Sequence, residues 1–142
     1  EAAAAASMAQ SAEDLNAYLD KVIADEGISP AQLLLLGFSQ GTMMSLHVAP
    51  RRDEAFAGVV GFSGRLLQPE TLEAELKSKM PVLLIHGDQD EVVPPQSLNE
   101  AGNALQAAGF EVYAHVSKGT GHGIAPDGLS VALAFMRDRL PG

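Results

Sequence analysis

The stretch Leu33-Leu34-Leu35-Leu36-Gly37-Phe38-Ser39-Gln40-Gly41 constrains this chain more than any other. A short apolar run ends in G-x-S-x-G, and a helix-compatible segment, Thr42 to Val48, follows with no spacer. Strand, sharp turn and helix in immediate succession hold such a serine in a strained conformation, with its hydroxyl at the carboxyl end of the strand. The residues two positions to either side must be small if strand and helix are to approach closely, and Gly37 and Gly41 meet that demand. The N–H of Gln40 then opens the helix and points where an oxyanion forms. By itself G-x-S-x-G also occurs in ordinary turns, so the rest of the chain must decide.

Four consecutive leucines suit a strand covered on both faces, as in a parallel sheet. Residues 1 to about 27 read as one helix, because Ala favours it and Leu15, Tyr18, Leu19, Val22 and Ile23 recur on one face. Gly27 stops that helix and Ser29-Pro30 makes a turn. Gln40 to Ala49 is the next helix, ended by Pro50, and its Met43, Met44, Leu46 and Val48 read as core. Gly58 to Phe62 is a second strand and Pro69 to Lys79 a short polar helix. Pro81 to Ile85 is a third strand. Pro94-Pro95 opens a helix running to about Ala108, since Pro is suited to the first helical position. Phe110 to Val116 is a fourth strand, more alternating, as at a sheet edge. Lys118 to Gly128 is a glycine-rich loop, and Leu129 to Leu140 a closing amphipathic helix. Strand–helix alternation of this kind implies one α/β domain over residues 1–142, with a parallel sheet of about four strands and helices on both faces.

Composition narrows the function. Apolar residues make up 46% of the 142 and charged residues 19%, which is an ordinary globular balance. The net charge of −9 repels phosphate, so nucleic acid is excluded as a partner and stable membrane anchoring is not expected. The chain has no cysteine, which rules out thiol catalysis, Cys-ligated zinc and disulfide frameworks. No apolar run reaches membrane-spanning length, and Ala2 to Ala6 lacks the basic flank of a signal peptide. A cytoplasmic location is the expectation. Position 1 is Glu rather than Met, so the true N-terminus is expected upstream.

A serine hydroxyl needs a base to take its proton, and the base needs an acid to fix its tautomer. In a parallel sheet such residues gather beyond the carboxyl ends of the strands. Ser39, Asp90 and His122 all follow strands, in the order nucleophile, acid, base. Asp88 competes for the acid role. His86 and His115 lie at or within strands and read as structural, as does His47 on its helix. No metal motif and no cofactor motif is present, so neither is expected.

Three segments together carry a resemblance: Gly37-Phe38-Ser39-Gln40-Gly41, His86-Gly87-Asp88-Gln89-Asp90-Glu91-Val92-Val93-Pro94, and Gly119-Thr120-Gly121-His122. From about Ala12 onward the chain resembles the phospholipase/carboxylesterase family of α/β-hydrolases, which includes bacterial carboxylesterases and acyl-protein thioesterases. The resemblance implies Ser39 as nucleophile, His122 as general base and, through H-G-x-x-D, Asp90 as the acid. Asp88 is then expected to bond its own turn. Leu66, Leu67, Val92 and Val93 follow catalytic-side strand ends and are candidate walls of an acyl pocket.

The chain departs from that family before Ser39. Related enzymes have several strands ahead of the first helix here, and one of their loops supplies a second oxyanion N–H from an H-G-type turn. No such turn precedes Ser39. The expected object is therefore the C-terminal half of a hydrolase, with an apolar edge at Leu33–Leu36 that another chain or a missing N-terminal segment covers. The expected function is hydrolysis of short- to medium-chain carboxylic esters through an acyl-enzyme. The alternative is a non-catalytic module acting through assembly.

Overall fold

Helix propensity governs the start of the chain and strand pairing the rest. The computed structural model describes residues 2–140. Its elements are α1 (Ala2–Glu26), β1 (Leu34–Phe38), α2 (Gln40–Val48), β2 (Gly58–Phe62), α3 (Leu72–Glu75), β3 (Val82–Gly87), α4 (Gln96–Ala107), β4 (Val112–Ser117) and α5 (Pro126–Arg139). The expectation for Glu1 lies outside the described residues.

The four strands pair in chain order, all parallel. Each crossover carries the chain back across one face, so every strand ends at the same rim. On one face, Val59, Val82 and Leu84 pack with Leu19 of α1, Leu46 and Val48 of α2, and Leu98 and Leu105 of α4. On the other, Val60, Phe62, Leu83 and Ile85 pack against Ala132 and Phe135 of α5. Helices thus lie on both faces, α1, α2, α4 and the single turn of α3 on one and α5 on the other.

That imbalance leaves β1 half covered. Leu35 packs among the residues beneath α1 and α2, and Leu34 against the α5 cluster. Further along the strand Leu36 is 47% exposed and Phe38 37%. β1 pairs only with β2 in the described sheet, so its outer N–H and C=O groups form an open, apolar edge.

Two elements differ from expectation. Residues 69–79 are not one helix: a 3-10 turn at Pro69–Thr71 leads into the single turn of α3. Lys77 and Ser78 instead donate their N–H groups to the Pro50 carbonyl, at 2.9 and 3.1 Å. That tertiary pairing overrides local helix propensity. α5 begins at Pro126, earlier than Leu129, with Pro in its first turn.

Candidate active site

The turn after β1 is held from two directions. Ser39 adopts φ 54°, ψ −111°, outside the regions open to most residues, a strain of about 1–3 kcal/mol. Its N–H donates to the Phe62 carbonyl at 2.8 Å, and the Thr42 hydroxyl donates to the same oxygen at 2.8 Å. A Cβ on Gly37 would lie 2.5 Å from the Gly41 carbonyl carbon, so only glycine lets α2 start this close to β1. Gly41 differs from expectation: a Cβ there meets nothing within 4 Å. Its bare backbone faces a groove beside α2 rather than the strand.

The chain's order brings three side chains to one rim. His122 Nδ1 donates to Asp90 Oδ2 at 2.8 Å, across 32 residues. The Ser39 hydroxyl donates to His122 Nε2 at 3.1 Å, across 83 residues. With the proton on Nδ1, Nε2 is free to accept the hydroxyl proton. The Phe38 ring packs on the imidazole, centroids 4.9 Å apart, and limits its rotation. Gln40 is the first residue of α2, so its N–H has no acceptor within the helix.

Asp90 is the buried member; its side chain has no exposed surface. Its Oδ1 accepts the N–H groups of Val92 and Val93, both at 2.9 Å. His86 donates Nε2–H to the Val93 carbonyl at 2.9 Å, and the same nitrogen lies 3.4 Å from Asp90 Oδ2. Burial pushes the carboxyl upward, but the hydrogen bond from His122 and the Val93 and Val92 N–H groups outweigh it and hold Asp90 below the usual carboxylate range.

Asp88 does not bond its own turn. Its Oδ1 accepts the Gly119 N–H at 2.8 Å, and the Gln89 N–H donates to the Thr120 carbonyl at 2.9 Å. The loop that carries Asp90 therefore holds the loop that carries His122. Gly87 makes that approach possible, because a Cβ there would lie 2.2 Å from the Thr120 oxygen.

The four apolar candidates separate. Leu67 borders the groove beside Gln40 and Gly41. Leu66 and Val93 are buried, at 8% and 3% exposure, and Val92 is exposed. The structure gives Val92 and Val93 a backbone role, as donors to Asp90. Sequence reading missed that role, along with that of Phe38, whereas His86, bonded to the Val93 carbonyl, is structural as expected. The one visible signal was the aromatic residue beside the serine.

Acid sensitivity follows from two lowered groups. The Asp90 carboxyl is held below its ordinary value, so its contribution is full above the unfolded carboxylate range and is lost as pH falls through the folded value. His47 is lowered by burial and by neighbouring Arg51, so it folds neutral while the unfolded chain takes a proton below roughly pH 6.5. Both make the unfolded state bind more protons, and both signs agree. The urea midpoint is expected to fall as pH drops below about 6.5, where the His47 share is lost, and to fall further below about pH 4, where the Asp90 share follows. His47→Gln should flatten the first of these declines. A midpoint that rises on acidification would contradict both assignments.

A parallel α/β sheet with a serine on a strained turn, a histidine within hydrogen-bond reach and a buried carboxylate behind it defines the α/β-hydrolase class. Within that class, the phospholipase/carboxylesterase family profile matches residues 1–140, and the chain belongs to that family. It is 33% identical over 122 residues to acyl-protein thioesterase 1 of Gibberella zeae, covering 82% of this chain and 52% of that protein. It is 34% identical over 136 residues to a probable carboxylesterase of Oryza sativa subsp. japonica, covering 90% of this chain and 49% of that protein. Among solved structures, esterase PE8 superposes with a TM-score of 0.92 at 44% identity, over 95% of this chain and 63% of that one. SOBER1 of Arabidopsis thaliana, at 24% identity, shares the fold with a TM-score of 0.87, over 96% of this chain and 66% of that one. The chain spans about half the length of the protein relatives it matches. No helix among the described residues is long and apolar enough to cross a membrane.

Proposed function

We propose that this chain carries the nucleophile, base and acid of a serine carboxylesterase. One observation supports the reading above all others: Ser39, His122 and Asp90 form a continuous hydrogen-bonded chain with a single consistent proton direction. Ser39 Oγ attacks the ester carbonyl carbon while His122 Nε2 takes its proton. Asp90 steadies the imidazolium that results. The tetrahedral oxyanion faces the Gln40 N–H at the start of α2, where the helix dipole favours negative charge. Collapse expels the alcohol, which leaves with the proton from Nε2. Water then attacks the acyl-enzyme by the same route and releases the acid.

The groove beside Gln40 suits the acyl part of the substrate. It has a volume of about 490 Å³ and is walled by Met8 of α1, Met43 and Met44 of α2, and Leu67. Thioether side chains adapt to chains of varying length. A polar hollow of about 310 Å³ near Asn16, Arg52 and Lys77 lies at the opposite end of the sheet. Its Arg52 is paired with Asp20 and its Lys77 with Asp53.

Hydrolysis of a p-nitrophenyl ester series from acetate to dodecanoate tests this reading. The kcat/KM is expected to climb through medium chains by up to about fourfold per methylene, from about 0.8 kcal/mol per buried CH₂, and then fall. Met43→Trp, which fills the groove, should shift the preference to acetate. A profile that Met43→Trp leaves unchanged would remove the groove from the account.

A second reading is favoured by two observations. The one oxyanion donor identified among the described residues is the Gln40 N–H, and β1 presents an open apolar edge. The chain then acts as a module completed by a segment or chain that covers Leu33–Leu36. Enzyme-like ester hydrolysis by the purified chain alone would exclude this reading.

A further inference from the structure

A second cluster of serine, histidine and aspartate lies on the far side of the His122 loop. His115 on β4 donates Nε2–H to Asp127 Oδ2 at 2.7 Å, and the Ser117 hydroxyl donates to the same oxygen at 2.9 Å. Both donors converge on one carboxylate oxygen, so the serine proton is directed to the acid and not to the imidazole. Ser117 is also only 2% exposed. The cluster is therefore no second nucleophile.

Its position suggests another task. Ser117 is the last residue of β4, and Asp127 is the second of α5. Their bond ties together the two ends of the loop 118–125, at whose middle sits His122. The side leading into His122 is held by the acid's loop, through Gly119 to Asp88 and Thr120 to Gln89. The side leading away from it, residues 123–125, has no hydrogen bond to the acid's loop among the described residues. The Asp127 cluster holds that side. Gly128 lets it do so, because a Cβ there would lie 3.0 Å from Ile85 Cγ2 and 3.2 Å from Ser117 Oγ. A side chain there would press on Ile85 and Ser117, so glycine eases the close seating of the first turn of α5 on the sheet.

We propose that Asp127, gripped by His115 and Ser117, is a positioning residue that fixes His122 against Ser39 by closing the return side of its loop. This rests on the reading of His122 as the general base. Release of that side moves the imbalance onto the Ser39–His122 bond, which at 3.1 Å is the longer and weaker link. Small misplacements of a catalytic group cost rate steeply, about 10²-fold for 1 Å.

The test compares Asp127→Ala and Asp127→Asn with the parent in three readouts. These are the downfield proton resonance of the His122 Nδ1–H, identified by its loss in His122→Ala, the rate of fluorophosphonate labelling, and the thermal midpoint. Asp127→Ala is expected to shift or broaden the resonance and slow labelling by about tenfold or more. Asp127→Asn keeps an acceptor and should fall between it and the parent. A lowered midpoint with parental resonance and labelling would overturn the proposal, since that is what a merely structural contact gives. Should Asp127→Ala fail to fold, Ser117→Ala decides: a moved resonance supports the clamp and an unmoved one refutes it. If the parent shows the resonance but takes up no label, the esterase reading fails, and the resonance alone judges the clamp.

Discussion

Replacing Ser39 by Ala is expected to lower kcat for ester hydrolysis by about 10⁶-fold, with KM little changed. The Ser39 hydroxyl lies 3.1 Å from His122 Nε2, which takes its proton in the proposed mechanism. The backbone strain at this position holds the hydroxyl at the rim and is present whether or not the oxygen is there. Alanine removes the nucleophile but leaves the Gln40 N–H and the groove in place, so substrate still binds and only the chemistry is lost. The fold should be undisturbed, because the Ser39 N–H, not its side chain, ties the turn to Phe62. Thermal unfolding of the variant alongside its kinetics checks both halves. Turnover within tenfold of the parent would mean that a different group attacks.

Asp90→Asn is expected to lower kcat by about 10⁴-fold in a folded protein. The surroundings dictate which way the new amide turns. Oδ1 of the acid accepts two backbone N–H groups, from Val92 and Val93. The amide oxygen must stay there, since an NH₂ would face two donors. The NH₂ is then forced towards His122 Nδ1, where the carboxylate accepted a proton at 2.8 Å. Nδ1 becomes the acceptor, the imidazole proton moves to Nε2, and Nε2 no longer takes a proton from Ser39. Asp88→Asn has no such consequence. Its oxygen continues to accept the Gly119 N–H, so a loss below about tenfold is expected. The reverse ranking of the two variants would reassign the acid.

The fold was legible in the sequence where apolar runs and turn residues agreed. The run at Leu33–Leu36 and the strands ending at Phe62 and Ile85 are each bounded by glycine, serine or histidine, and each proved to be a strand. Local pattern failed where a distant partner decided, as when the Pro50 carbonyl captured Lys77 and Ser78. The candidate site divides in the same way. Ser39, Asp90 and His122 stood out because each follows a strand end within a recognisable motif. The residues that position them were harder to see. Phe38 acts through a ring placed beside His122, and Val92 and Val93 through backbone N–H groups that carry no trace in side-chain type. His115, Ser117 and Asp127 come from two elements whose contact no spacing announces. Gly41 shows the converse: a motif residue whose bareness serves the groove rather than the packing.

The proposed chemistry requires an activated hydroxyl at residue 39. Fluorophosphonate treatment of the folded protein, followed by peptide mapping by mass spectrometry, reads that hydroxyl directly. One adduct on Ser39, absent from Ser39→Ala and formed far more slowly in His122→Ala, is the predicted result. An adduct at another residue, or equal labelling of the parent and Ser39→Ala, would contradict it.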